Sequence, residues 1–110
     1  MLDKQLLKGT IPLLVLSLLS TKDRYGYDLI RSMEDSTNGA FRFSEGTLYP
    51  VLHSLERDGR LTAAWAETGR RRRKYYRITE KGRAELAARR EQWTLFTASV
   101  AAILAAADHD

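Results

Sequence analysis

Five consecutive cations, Arg70, Arg71, Arg72, Arg73 and Lys74, are the densest charge in this 110-residue sequence. They do no acid–base work at neutral pH, but together they set up a positive field that suits an anionic partner such as a phosphate backbone. A bare basic run is equally a solvated loop, so its neighbours decide its meaning. Upstream, Leu48, Val51, Leu52 and Leu55 fall at i, i+3, i+4 and i+7, one apolar face of a helix. The opposite face carries Ser44, Thr47, Tyr49, His53, Ser54 and Arg57, hydrogen-bonding groups of the kind that meet base edges and phosphates. Other chemistries find little support. His53 and His109 are the only histidines, too isolated for a metal site. Cysteine is absent, which excludes disulfides, thiol catalysis and Cys-based zinc sites. No serine or acid pair has the spacing of a nucleophile or general acid, so neither an enzyme nor a cofactor is expected.

The remaining elements must position these two groups. Hydrophobic residues are 44% and charged residues 29% of the chain, an ordinary globular balance that suits one compact domain with an appended helix. The net charge of +4 says less than its clustering. Met1–Gln5 lacks a secretory pattern, and the apolar run Ile11–Leu19 falls short of the roughly 20 residues of a membrane span. A buried helix and a cytoplasmic protein are therefore expected. Leu6–Leu19 is apolar nearly all round, and Pro12 either kinks this helix or has it begin near Thr10. After the polar break Thr21–Arg24, a second helix is predicted over Tyr25–Thr37. Leu29, Ile30 and Met33 face inward, Asp28, Arg31, Glu34 and Asp35 outward, and Asn38-Gly39 ends it. Ser44 is the expected N-cap of the third helix. Pro50 is tolerable there if the helix starts at Thr47, or because Gly46 is small. Leu61–Thr68 and Arg72–Thr79 alternate as two strands whose connection around Gly69-Arg70-Arg71 makes a basic hairpin tip. Trp65 is expected as core between hairpin and helices, and Tyr75 and Tyr76 as strand packing.

Thr79 is set to cap a last helix over Glu80–Ala107, in which Leu86, Trp93, Val100 and Ala107 recur every seventh residue with Phe96 and Ile103 between them. At about 40 Å, this stripe exceeds what a domain of this size covers. A second copy is the simplest cover; folding back on the first helix is the alternative. The expected fold is thus mainly α with a two-stranded β wing. Residues 1–79 would form a winged helix-turn-helix domain and residues 80–110 a dimerisation helix. A helix fits the major groove, and a flanking hairpin reaches phosphates or the minor groove.

Several segments carry a family resemblance: Leu7-Lys8-Gly9-Thr10, Leu14–Leu19, Tyr25-Gly26-Tyr27, and Glu45-Gly46-Thr47-Leu48-Tyr49-Pro50 followed by Leu52, Leu55, Glu56 and Gly59. Gly69–Arg72 and Lys74-Tyr75-Tyr76 leading into Ile78, Thr79 and Gly82 complete it. From about Leu6 to Phe96 the chain resembles the PadR-like transcriptional regulators, in the compact form with a single C-terminal helix. The resemblance implies a homodimeric repressor acting on operator DNA, palindromic in keeping with a two-fold dimer. It also implies that a tryptophan at the position of Trp93 lines a space between subunits that takes planar, drug-like hydrophobic effectors. DNA contact is assigned to Ser44, Thr47, Tyr49, His53, Arg57, Arg70, Arg71, Arg72 and Lys74. Tyr49 serves DNA or packing. Leu14, Trp93, Phe96 and Val100 are assigned to an effector or dimer pocket, simple interface packing being the alternative for Trp93 and Phe96. A competing class is a dimeric interaction module that kept the fold without DNA binding; the wing arginines weigh against it.

Overall fold

The computed structural model describes residues 2–7 and 9–109. Met1, Lys8 and Asp110, which fall within the domain boundaries and the first motif read above, lie outside the described residues. The elements run α1 Lys4–Leu7, α2 Ile11–Leu19, β1 Arg24–Tyr25, α3 Gly26–Ser36, α4 Glu45–Arg57, β2 Leu61–Thr68, β3 Arg71–Ile78 and α5 Glu80–Asp108. Of the two options for Pro12, the later start is found. The chain turns at Gly9, whose φ of +88° suits glycine alone. The Thr10 amide and hydroxyl both donate to the Leu7 carbonyl. Pro12 then sits in the first turn of α2, where its missing N–H breaks no helical bond. No residue of α2 is exposed, as its uniform apolarity requires.

Leu29 and Met33 of α3 and Leu48, Leu52 and Leu55 of α4 meet Val15, Leu16 and Leu19 of α2 in one core, closed by Leu61, Tyr76, Ile78 and Leu86. Each buried leucine contributes about 2 kcal/mol relative to exposure. The helix α4 starts at Glu45, two residues before Thr47, and runs through Pro50, which is exposed.

The sheet has three antiparallel strands in the order β1-β3-β2, where the sequence pointed to two. Arg24 and Tyr25 were read as a polar break and a helix start; instead they pair with Tyr76 and Tyr75. The Tyr25 and Tyr75 rings meet edge to face at 5.4 Å. Arg24 ties the neighbourhood together. Its Nε donates to the Leu18 carbonyl at 3.2 Å and its Nη1 to Ser32 Oγ at 3.0 Å, joining α2, β1 and α3.

Thr79 accepts from the Gly82 amide at 3.1 Å and caps α5 directly after β3. Only the first turns of α5 are covered by the chain. Leu86 is buried, Arg90 reaches Ser17 Oγ at 3.2 Å, and Glu85 accepts from Arg60 at 3.1 Å and Arg89 at 2.7 Å. Burial on its own would raise the Glu85 carboxyl, but the bonds from Arg89 and Arg60 hold it below its ordinary value. From Arg90 to His109 every residue is exposed, Ile103 and Leu95 at 70%. Among the described residues no helix is long and apolar enough to cross a membrane.

Candidate nucleic-acid interface

The outer face of α4 is fixed by its inner one. With Leu48, Leu52 and Leu55 locked in the core, Ser44, Thr47, His53 and Arg57 are exposed along one side. Ser44 is the N-cap: its Oγ accepts from the Thr47 amide at 3.3 Å and lies 3.1 Å from Thr47 Oγ1. The two hydroxyls thus stand paired at the helix entrance, where the positive end of the helix dipole points outward. Arg57 is at the far end, its Nη2 3.3 Å from Ser54 Oγ. Tyr49 is half-buried, its ring 6.1 Å from that of His53. Its hydroxyl rests over the start of α3: a Cβ added to Gly26 would stand 2.6 Å from it. Gly26 is therefore the residue that admits Tyr49, a link between two sequence motifs that neither reveals alone.

The hairpin sorts the cations by strand alternation. Glu67↔Arg72, Trp65↔Lys74 and Ala63↔Tyr76 are opposite pairs on the face that runs down into the core, while Arg71 and Arg73 point to the other face. Arg70 lies in the turn, and Arg70, Arg71 and Arg72 are exposed. The Arg72 guanidinium stacks 4.8 Å from the Trp65 ring centre, and that of Arg73 lies 4.4 Å from Tyr25. Lys74 is not at the tip. It is half-buried at the wing root and paired with Glu56 at 3.3 Å. Burial alone would lower the Lys74 ammonium, but the Glu56 bond and charge, with Tyr76, outweigh it and raise it. Burial chiefly pushes the Tyr76 phenol up. Arg77 clamps the root with two bonds to Asp23 Oδ2, at 3.0 and 2.8 Å.

The structure thus brings Tyr49 and His53 opposite Trp65, Arg72 and Lys74 across an open cleft of about 410 Å³, with Tyr25 and Tyr27 on its margin. Ser44, Thr47 and Arg57 flank it on α4. Trp65 corrects the sequence reading: it is 57% exposed on the wing and is not part of the core. Alternation placed it on the inward face, but that face outruns the helices that cover it. The sequence reading named Arg73 in the basic run and Tyr25-Gly26-Tyr27 among the family segments, but gave Tyr25, Tyr27 and Arg73 no part in DNA contact. Among the described residues no group of three His, Cys, Asp or Glu could hold a metal ion.

A second cleft, of about 720 Å³, lies between α1, α2 and α5. Trp93 and Phe96 line it with their rings 6.0 Å apart, together with Leu6, Leu13 and Phe41. Leu14 packs toward the core instead, and Val100 is exposed one turn beyond Phe96 and outside the lining.

A helix locked under a polar outer face, followed by a three-stranded sheet with a cationic hairpin, defines a winged-helix DNA-binding fold. The model of the transcriptional regulator PadR-like family matches residues 15–88. An uncharacterised protein from Lysinibacillus sphaericus is 34% identical over 94 residues, 84% of this chain and 86% of that one. The transcriptional regulator YqjI of Escherichia coli is 36% identical over 84 residues, covering 76% of this chain but 39% of its own length. The crystal structure of a PadR family transcriptional regulator from Eggerthella lenta superposes with a TM-score of 0.81 at 36% identity, over 91% of this chain and 86% of that one. The chain belongs to the PadR-like family of transcriptional regulators, which are DNA-binding regulators and not enzymes.

Proposed function

We propose that the chain is a homodimeric repressor that reads a palindromic operator and is released by a small planar hydrophobic effector. The observation that carries DNA reading is the cleft that sets the polar face of α4 against the cationic wing. In this reading α4 lies in the major groove, with Ser44, Thr47, Tyr49 and His53 toward base edges or the adjoining phosphates. Arg57, Arg70, Arg71 and Arg72 engage phosphates. Lys74 adds its charge from the wing root, where Glu56 offsets part of it. Residues 1–79 act as the DNA-binding domain and residues 80–110 as the dimerisation helix. Support for the dimer is the apolar stripe of α5, with Val100 40% and Leu104 62% exposed. An effector would enter the cleft at Trp93 and Phe96, with Val100 and Leu14 at its margins once a second copy closes it.

A gel shift with the DNA upstream of the chain's own gene, repeated over a range of salt, tests the reading. It expects a retarded complex whose affinity falls steeply with salt; absence of a complex at low salt would sink it. Sedimentation checks the dimer. Trp93 emission on titration with planar aromatic compounds checks the effector: indifference to all of them, with operator binding intact, removes that part.

A further inference from the structure

The fold gives no structural reason for Trp65. It stands on β2 between Ala64 and Ala66, more than half exposed, outside the core and outside the residues packed against it. The Arg72 guanidinium lies over its ring. No ion pair among the described residues involves Arg72, although Glu67 stands opposite it in the ladder. Across the cleft lie Tyr49 and His53 of α4. If α4 occupies the major groove and the wing the neighbouring minor groove, the phosphodiester strand between the two grooves runs through this cleft.

We propose that Trp65 is a DNA-contacting residue that packs on the sugars of that strand while its ring holds Arg72 extended toward the phosphates. This rests on the DNA-binding reading and adds a residue to it. Trp65 would act by preorganisation. A free arginine loses rotamer freedom when it grips a phosphate; one already stacked on an indole loses less. Stacking leaves the planar fork of the guanidinium free to donate to phosphate oxygens. The indole is not tied to one base sequence, since it packs on sugar and ring faces of any nucleotide. Lys74, directly opposite Trp65, is engaged with Glu56, so Arg72 is the cation on this face with charge to offer.

The test uses full-length protein, a duplex from the DNA upstream of its own gene, and a duplex of scrambled sequence. Trp65→Ala is expected to weaken binding to both duplexes by about tenfold, the size of a desolvated stacking contact. The log–log salt slope should flatten by about one as the Arg72 contact is lost. Trp65→Phe should keep most of the affinity. DNA should quench tryptophan emission in the unsubstituted protein and leave Trp65→Phe, in which Trp93 is the sole tryptophan, unchanged. Melting temperatures report whether either variant is misfolded; the emission comparison of the unsubstituted protein with Trp65→Phe does not depend on Trp65→Ala folding. Unaltered affinity and slope in Trp65→Ala, with emission blind to DNA, would overturn the proposal and leave DNA binding standing. Failure of the unsubstituted protein to bind either duplex at low salt overturns the DNA-binding reading itself, and Trp65 with it.

Discussion

On the face made by α4 and the hairpin, the exposed groups are chiefly hydroxyls, an imidazole and guanidiniums, with the Trp65 indole standing among them. On α5 beyond Arg90 the large exposed groups are apolar, Trp93, Leu95, Phe96, Val100, Ile103 and Leu104, beside a run of alanines. Both regions stand clear of the core, but they are held differently. The polar face is rigid because its reverse is packed leucine, its helix is capped by Ser44, and its wing arginines lean on Trp65 and Tyr25. The apolar face is regular only because the helix is regular; among the described residues nothing buries it. A surface with preset cations suits a partner of fixed charge spacing, whereas a bare apolar stripe is stable only when a matching stripe removes it from water.

Breaking the apolar side should have the largest effect. Val100→Glu with Ile103→Glu would place four carboxylates in a two-fold interface. This should raise the dimer dissociation constant by at least about a thousandfold, an effect of about 4 kcal/mol, as read by sedimentation equilibrium. Isolated chains should keep the melting behaviour of the N-terminal core. On the polar side, Arg70→Ala with Arg72→Ala should weaken operator binding by about a hundredfold and flatten the salt slope by about two per chain, with sedimentation unchanged. An unaltered slope would mean that the wing does not touch phosphate. Gly26→Ala is subtler. The new Cβ displaces Tyr49, so gel shifts should show a loss of about fivefold with the slope retained, for about 1 kcal/mol of strain.

The smallest effect concerns the junction of the two regions. Because the Glu85 carboxyl is held below its ordinary value, its bonds to Arg60 and Arg89 stabilise the fold at neutral pH. That contribution is present above the unfolded value and fades as pH falls through the lower folded one. Melting temperatures of the unsubstituted protein and Glu85→Gln should therefore differ at pH 7 and converge in acid. A constant gap would assign the effect to packing.

Much of this architecture was written in short-range patterns. Leu48, Leu52 and Leu55 set α4, Ser44 and Thr79 announce their helices, and Asn38 and Gly39 do adopt positive φ. What escaped depends on distant partners. Two residues of β1 have no period to read, and only Tyr75 and Tyr76, far along the chain, make them a strand. Alternation assigned Trp65 a face but not how far that face stays covered. Within the candidate site the wing arginines and the α4 hydroxyls were legible from type and spacing. The Lys74–Glu56 pair was not, because it joins strand and helix across the fold. Nor was Leu13 in place of Leu14 in the second cleft, since the break at Gly9 sets the rotation of α2.

The single residue between β3 and α5 has a mechanical consequence. Thr79 ends the wing strand and caps the helix, and its hydroxyl also donates to the Gly59 carbonyl at the start of the hairpin. Gly82 fits so closely against the Arg60 carbonyl that a Cβ there would collide with it. Wing and helix are therefore splinted into one stiff lever with no slack at its fulcrum. In a dimer joined through the distal half of this 29-residue helix, the proximal half is an arm of about 22 Å and turns a rotation of about 10° into a displacement of about 4 Å at its end. That is roughly the rise of one base pair, given about 3.4 Å between successive phosphates of one strand. A ligand that tilts the crossing of two such helices need not touch the wings to take them out of step with the two halves of an operator.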